Sequence, residues 1–593
     1  MKLLGKLFFG AESRTWVARL AIIAICTTLV LQPALAQQAQ NYKCNRPDLP
    51  KLADITAKTG IKFSHDYDPD KRYITESMSG GVVIVDYDRD GWQDIYFTNA
   101  PTVAMSLANK GARSELYRNN GDGTFTDVSD KAGVSHPCIA FGGSVGDYNN
   151  DNWPDMYVTC LGENVLYRNN GDGTFTDVAK QAGVADPRWS MGSSFGDYDN
   201  DGFVDLMVTN YVDFRLNDLP GFGSSPTCKY RGIDVQCGPR GLRGAGDALF
   251  HNNGNGTFTE VSKQAGVDDP NGYYGLTTVF VDFDDDNKPD IFVADDATPN
   301  FLYHNQGDGK FVEYGMESGV AVSDDGAEQA CMGVAIGDYT RTGRASIGVT
   351  NFADEYSTLY RNEGGMNFKD VAYASKIAVP SLPWVKWGFF FFDLENDGWL
   401  DLFQVGGHVY PQVDSLSSGA RYKEPKNLFI NKRDGTFCDG SDEAGPALKV
   451  LQVGRGAVYA DLDNNGSMDI VINNQDGAPT VLKNPADSAN HWVGFELQGS
   501  KSNRLGIGAR VKVYSGNSVQ TSWLVSGGSY ISQNDMRLHF GLGPATAIEK
   551  VEVRWPSGKV DTIQKLKADQ FYGLLEGEGV VPLDRIRPKA KTK

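Results

Sequence analysis

Short apolar runs alternate with acidic, glycine-containing turns from about residue 80 to about residue 485. The run Val82-Val83-Ile84-Val85 leads into Asp86-Tyr87-Asp88-Arg89-Asp90-Gly91-Trp92-Gln93-Asp94, and Ile95-Tyr96-Phe97 follows. Runs this short, bounded by turn residues, predict strands rather than helices. The unit is therefore strand, tight acidic loop, strand. It recurs six more times, with polar side chains at loop positions 1, 3, 5 and 9. Those positions are Asp147, Asn149, Asp151 and Asp155; Asp197, Asp199, Asp201 and Asp205; then Asp282, Asp284, Asp286 and Asp290. The fifth copy has Asp338, Thr340, Thr342 and Ser346. The last two have Asp393, Glu395, Asp397 and Asp401, then Asp461, Asp463, Asn465 and Asp469.

A second element travels with the first. Leu116-Tyr-Arg-Asn-Asn-Gly-Asp-Gly-Thr-Phe-Thr-Asp127 returns at 166–177, 249–260 and 302–313, and more weakly at 359–370 and 428–439. Its Asn-Gly-Asp-Gly core supplies the positive-φ residues of a tight hairpin. Each repeat then holds four short strands, the unit of a β-propeller, and seven units predict a seven-bladed ring over residues 51–488. The seventh repeat lacks its last strand after Val481-Leu-Lys-Asn484. Residues 51–62 match that missing piece, Leu52-Ala-Asp-Ile-Thr-Ala-Lys-Thr-Gly-Ile61 aligning with Phe125 to Val134. The N-terminal segment is thus expected to close the last blade and leave no open sheet edge.

The loops are also the main candidate chemistry. Carboxylates two residues apart around a glycine turn can aim their oxygens at one centre, and Ca²⁺ takes six to eight oxygens in irregular geometry. The metal candidates are Asp86, Asp88, Asp90 and Asp94 with the sets above, the fifth excepted. Thr340, Thr342 and Ser346 leave that loop one carboxylate, and Arg341 and Arg344 add positive charge, so about six sites are expected. Asn152 and Asn287 replace glycine at position 6, where asparagine tolerates positive φ. The net charge of −19 sits largely in these loops and argues against nucleic acid and anionic lipid as partners.

At the N-terminus a basic region precedes an apolar stretch from Leu20 to Leu31 and the small-x-small site Ala34-Leu-Ala36. This predicts a signal peptide over residues 1–36, cleaved near Ala36, and a polar leader over 37–50. The stretch is too short for a transmembrane span. A secreted protein, in periplasm, on a surface or in the medium, can form disulfides. Cys228 and Cys237 are the first pair expected, Cys138 with Cys160 another, and at least one of the seven remaining thiols stays unpaired in a monomer. The pair lies in the largest insertion, Tyr211 to Asp247, a candidate for partner contact.

From His491 the acidic loops stop and alternating strands begin, predicting a small β-sandwich or barrel-like domain over 489–580 and a loose basic tail over 581–593. Here the residues resemble known families. The acidic-loop units resemble FG-GAP/VCBS repeats, the type in integrin α-chain propellers. The C-terminal block resembles the ASPIC/UnbV domain of the cartilage acidic protein family, through Asn503-Arg-Leu-Gly-Ile-Gly-Ala-Arg510, Ser526-Gly-Gly-Ser-Tyr530, His539-Phe-Gly-Leu-Gly543 and Val553-Arg-Trp-Pro-Ser-Gly558. The resemblance implies a secreted, calcium-binding propeller with a β appendage, acting in extracellular binding or adhesion.

Catalytic patterns are sparse. No H-E-x-x-H, G-x-S-x-G, Walker or C-x-x-C motif occurs. His408, in Gly406-Gly-His-Val-Tyr410, is the one weak catalytic candidate, a general base if Asp401 or Tyr410 assists it. Arg504 and Arg510 could clamp an anion. Trp384, Trp387 and Phe389–Phe392 read as propeller core. The expected function is non-enzymatic binding of an extracellular protein or glycan; the alternative is a propeller enzyme acting on polysaccharide or another polymer.

Overall fold

The computed structural model describes residues 42–589 apart from 136, 217–219, 418 and 486–488. The expected signal segment, its expected cleavage site and the start of the polar leader lie outside the described residues. The chain is all-β, with helices of no more than five residues among the described residues. No helix there is long and apolar enough to cross a membrane.

Seven four-stranded antiparallel sheets follow one another along the chain. In the first, Val82–Val85 pairs with Asp94–Phe97, then Glu115–Asn119, then Phe125–Asp127. The acidic loop joins the two inner strands and the Asn-Gly turn joins the two outer ones, in the order the sequence implies. The innermost strand of each sheet touches that of the next, and Gly454–Ala460 of the seventh touches Val82–Val85 of the first. The arrangement is a β-propeller. Its inner strands are buried on both faces, so Val82, Ile84, Ile95 and Phe97 are all fully covered and read as unbroken apolar runs.

The outer strand of the seventh sheet is Ala53–Asp54, which lies opposite Lys483 and Leu482. A disulfide between Cys44 and Cys438 ties the preceding residues to the sixth sheet. Lys43 reaches Asp439 at 2.7 Å and Leu49 is 1 % exposed. From residue 42 onward the polar leader is therefore docked, a correction to its description as a mere leader. Two further disulfides join Cys138 to Cys160 and Cys228 to Cys237, and Cys331 is free and buried.

After the ring, two more four-stranded sheets form the C-terminal unit. One carries His491–Gln498 between Leu538–Gly543 and Gln570–Leu575, and the other carries Arg510–Ser515 between Ser518–Trp523 and Ala547–Arg554. Val493, Phe495, Val511, Val551 and Trp555 fill the space between them. The tail expected to be loose is packed as far as Arg587. Gly579–Val581 pairs with Gln570–Leu575, Ile586 is 1 % exposed, and Arg587 bonds Glu496 at 2.8 Å.

The C-terminal unit is not a separate appendage. Its segment 526–533 enters the middle of the ring and bonds all seven sheets. Gln533 exchanges hydrogen bonds with Val82 and Ile84 of the first. Ser526 Oγ donates to Val145 of the second and Ser194 Oγ of the third donates to the Ser526 carbonyl. Ile531 N–H reaches Thr277 of the fourth and Ser529 pairs with Val334 of the fifth. Phe389 of the sixth donates to Ser529 Oγ, which donates to the carbonyl of Ala457 in the seventh. Gly142 is needed at the point of entry, since a Cβ there would lie 2.4 Å from the Ile531 carbonyl oxygen.

Candidate functional site: acidic loops and the channel mouth

Each acidic loop folds around its own first aspartate. Asp147 accepts from the N–H groups of Asp151 and Asn152, Asp197 from Asp201 and Gly202, and Asp393 from Asp397 and Gly398. Position 4 adopts positive φ throughout, from 56° at Asn396 to 73° at Asp285. Asn152 and Asn287 take positive φ at position 6. The fifth loop keeps the same turn without the acids, Asp338 accepting from Thr342 and Gly343. The turn thus needs only the first aspartate, and the further carboxylates serve another purpose.

The ninth residue ties loop to sheet. Asp94 Oδ2 accepts from Tyr87 N–H and Oδ1 from Asn119 N–H, and the same pair of contacts recurs at Asp155 and Asp205. The asparagine side chain then reaches back to the preceding sheet. Asn169 donates to the carbonyl of Tyr87, Asn252 to Tyr148, Asn305 to Tyr198, Asn362 to Phe283, Asn431 to Tyr339 and Asn484 to Leu394, at 2.8–2.9 Å. Asn119 closes the circle at Leu462, 2.8 Å away. This buckle was not anticipated as a contact between units. Its signal was available: the asparagine stands at the same place in every repeat, including the fifth, which has lost its acids.

Three loops bring carboxylate oxygens together. One oxygen each from Asp86, Asp88 and Asp90 lies within 4.8 Å of the others, and so for Asp197, Asp199 and Asp205, and for Asp282, Asp284 and Asp286. Asp199, Asp201 and His251 form a further such group. The second loop turns Asn149 onto Asp151, 3.3 Å away. In the sixth, Glu395 is drawn to Arg46 at 2.7 Å while Asp397 meets Arg433. In the seventh, Lys483 sits between Asp463 and Asp469, at 2.6 and 3.1 Å.

The electrostatics of these loops are costly without a cation. Burial pushes Asp86 up to about 7 and Asp197 up to about 8, and the neighbouring carboxylates add to it. Burial and the same repulsion hold Asp94, Asp155, Asp393 and Asp401 well above the usual carboxylate range. Asp86 Oδ1, Asp88 Oδ1 and Asp463 Oδ1 are buried with no hydrogen-bond donor. An unpaired buried carboxylate oxygen is strongly unfavourable, and hard oxygen donors in this number suit a divalent cation. The residues present therefore fit such an ion.

The other feature is the mouth of the channel. A cavity of about 310 Å³ lies beneath the insertion, lined by Thr227, Gln236 and Arg240 on one side and by Tyr211, Phe352 and Tyr410 on another. Asp296 and Glu355 face it as well, and Asp296 accepts from the Tyr211 hydroxyl at 2.5 Å. The Cys228–Cys237 bridge holds the short hairpin Lys229–Tyr230 and Ile233–Asp234 above it.

His408 is not placed as a catalytic base. It is fully buried, with its ring 5.4 Å from those of Tyr230, Phe352 and Tyr410. Its Nδ1 accepts the Tyr410 N–H at 3.1 Å and its Nε2 is buried with no partner. Burial, with Arg455 and Arg231 nearby, pushes it down to about 3. Asp401 belongs to the sixth loop, holding the N–H groups of Leu394 and Asn431. A group whose folded pKa lies below its unfolded value of about 6.5 destabilises the fold as pH falls from 6.5 towards 3, because the unfolded chain takes the proton first. His408→Asn keeps an acceptor for Tyr410 and should show less loss of stability between pH 7 and pH 4 in urea titrations. An unchanged pH dependence would show that His408 carries none of it.

The two arginines proposed as an anion clamp are otherwise engaged. Arg510 pairs with Asp285 of the fourth loop, and Arg504 donates to the Gly499 carbonyl at 3.0 Å. Arg554 pairs with Asp282 of that same loop. Trp387 is core, 1 % exposed, with the Arg455 guanidinium 4.0 Å from its ring centre.

Comparison with known proteins agrees with this architecture. Residues 86–158, 147–208, 241–293 and 282–349 match the FG-GAP-like repeat, and residues 499–581 match the ASPIC and UnbV family. Cartilage acidic protein 1 of Homo sapiens is 28 % identical over 309 residues, 51 % of this chain and 43 % of the relative. That of Mus musculus is 29 % identical over 295 residues, 48 % and 42 % of the two. The match thus spans less than half the length of these relatives. Among solved structures, an Agrocybe aegerita lectin described as recognising non-reducing terminal N-acetylglucosamine is 18 % identical, with TM-score 0.33 over 61 % of this chain and 79 % of that one. A Trypanosoma rangeli sialidase is 11 % identical, with TM-score 0.34 over 73 % and 59 %. Likenesses this loose carry no argument. On its repeats, its sheets and its terminal unit, the chain is an FG-GAP-repeat β-propeller protein with a C-terminal ASPIC/UnbV domain, similar to the cartilage acidic proteins.

Proposed function

We propose that this protein is a secreted, calcium-binding propeller that holds an extracellular protein or glycan without chemistry on it. The observation that carries the calcium reading is the set of buried carboxylate oxygens left without donors in the loops. Calcium would be held by Asp86, Asp88, Asp90 and Asp94 in the first loop and by the corresponding side chains in the second, third, fourth, sixth and seventh. It supplies positive charge where the chain has crowded negative charge. The loop side chains orient their oxygens, and the buried first and ninth aspartates fix the turn to the sheet. Extracellular modules bind calcium in the 10⁻⁴–10⁻³ M range, which suits a secreted protein carrying three disulfides.

Ligand binding is assigned to the mouth beneath the Cys228–Cys237 hairpin. The 310 Å³ cavity is lined by Met78 and Trp387, both of which Tyr530 of segment 526–533 touches, and by Tyr211, Tyr410, Asp296 and Glu355; a concave, largely apolar site with a few polar groups suits a ligand. Two measurements test the proposal. Metal analysis of protein purified in calcium should find about six ions per chain, and Asp338→Asn should not change that number. A glycan and protein-ligand screen should find binding that weakens at least about tenfold in Arg240→Glu, while a panel of polysaccharides is left uncut. Polymer cleavage by the wild-type chain would favour the enzyme.

A further inference from the structure

In four of the sheets, the first, third, fourth and seventh, the residue before the buckling asparagine contacts its own acidic loop. In the first sheet it is Arg118, with Nε 2.6 Å from Asp88 and Nη2 2.5 Å from Asp90. In the seventh it is Lys483, already described between two aspartates. Guanidinium and ammonium groups donate hydrogen bonds but offer no lone pair to a metal. In the third sheet the residue is His251. Its Nδ1 lies 3.2 Å from Asp205 Oδ1 and 3.5 Å from Asp199 Oδ2.

We propose that the third loop is a mixed nitrogen and oxygen site for a borderline divalent ion of the zinc class, with His251 as its nitrogen ligand. The inference rests on the reading of the loops as cation sites and adds a second kind of ion to it. Ligand atoms of Asp199, Asp201 and His251 lie within 4.8 Å of one another. Two ligands about 2.1 Å from one ion lie at most about 4.2 Å apart, so a small inward movement completes the set. Imidazole suits zinc and its neighbours in the first transition row, whereas calcium takes oxygen donors. Asp197 and Asp205 are 2 % and 1 % exposed and anchor the loop. The imidazole is 30 % exposed, which leaves a path for the ion and for water ligands. Its ring packs edge-on against Tyr198, centroids 6.0 Å apart, which limits its orientation.

The fourth sheet has His304 at the same place, Nδ1 3.0 Å from Asp290. There Arg554 of the C-terminal domain occupies Asp282. The fourth-loop ligand atoms that lie within 4.8 Å of one another are those of Asp282, Asp284 and Asp286, without His304, so the fourth loop is left out of the proposal. The competing explanation is that His251 is a protonated charge partner, a weaker counterpart of Arg118.

The test uses the full chain in millimolar calcium, given one to two equivalents of zinc chloride, then gel-filtered and analysed for both metals. One zinc per chain should remain, and one calcium fewer than in the zinc-free sample. His251→Arg recreates the arrangement of the first sheet and should retain no zinc, with calcium in the other loops unchanged. His251→Gln serves the same purpose should the arginine variant fail to fold. The expected affinity loss exceeds the 10- to 100-fold (about) that follows loss of a partner behind a ligand. Zinc retained by both variants, or none retained by the wild type, would overturn the proposal. Absence of calcium from every sample would instead remove the reading on which it rests.

Discussion

Stripping the protein of divalent ions with a chelator should lower its melting temperature by at least about 10 °C, and calcium should restore it. An ion bound only by the folded state stabilises by about 2.7 kcal/mol when present at a hundredfold excess over its dissociation constant. A domain of 150–250 residues shifts by about 2–4 °C per kcal/mol. The ring is larger and shifts less per kcal/mol, but the six or so sites proposed would act on it together. The cost falls on carboxylates such as Asp94, 0 % exposed, and Asp155, 0 % exposed, which cannot be relieved by water. Differential scanning calorimetry with and without chelator measures it directly. A melting temperature that stays put within 2 °C (about the shift of a single kcal/mol) would reduce the loops to polar turns.

Tyr530→Ala should be the most damaging single substitution in the C-terminal domain. Tyr530 is wholly buried in the ring, its hydroxyl donating to the Met78 carbonyl at 2.7 Å and its ring meeting Trp387 at 4.7 Å between centroids. Removing an aromatic side chain from such a place costs about 3–5 kcal/mol, and the Met78 carbonyl loses its donor as well. The ring and the C-terminal domain should melt in one transition in the wild type and in two in the variant. Tyr530→Phe, which keeps the ring of the side chain, should cost only about 1 kcal/mol. A single unshifted transition for Tyr530→Ala would mean that the segment sits passively in the channel.

The repeats were legible because their signals are local. Acidic side chains two apart, a glycine at position 6 and an Asn-Gly hairpin all fall within a dozen residues, and the apolar runs between them set the strands. The missing last strand of the seventh repeat and its counterpart at residues 51–62 were legible for the same reason. Contacts across long distances in the chain were not. Ser526-Gly-Gly-Ser-Tyr530 reads as a turn between strands, since nothing near it tells of Val82, Val334 or Ala457. Cys44 carries no mark of Cys438. The buckling asparagines were visible but were assigned to the hairpin, because asparagine in a turn already has a sufficient local explanation. His408, only a weak catalytic candidate, is fully buried, which its isolation in the sequence does not tell. Nothing local marks His251 and His304, because their partners Asp205 and Asp290 lie on the neighbouring strand.

The join at Ala53–Asp54 and Lys483 sets the order in which this molecule can be assembled. A nascent chain emerging residue by residue holds its first sheet early, yet the circle has no keystone until residue 480 has appeared. The segment that locks the hub, ending at Gln533, arrives later still. Through most of synthesis the early sheets must wait with unsatisfied inner edges, so a chain halted before residue 533 should be a substrate for holding chaperones and proteases rather than a smaller working copy.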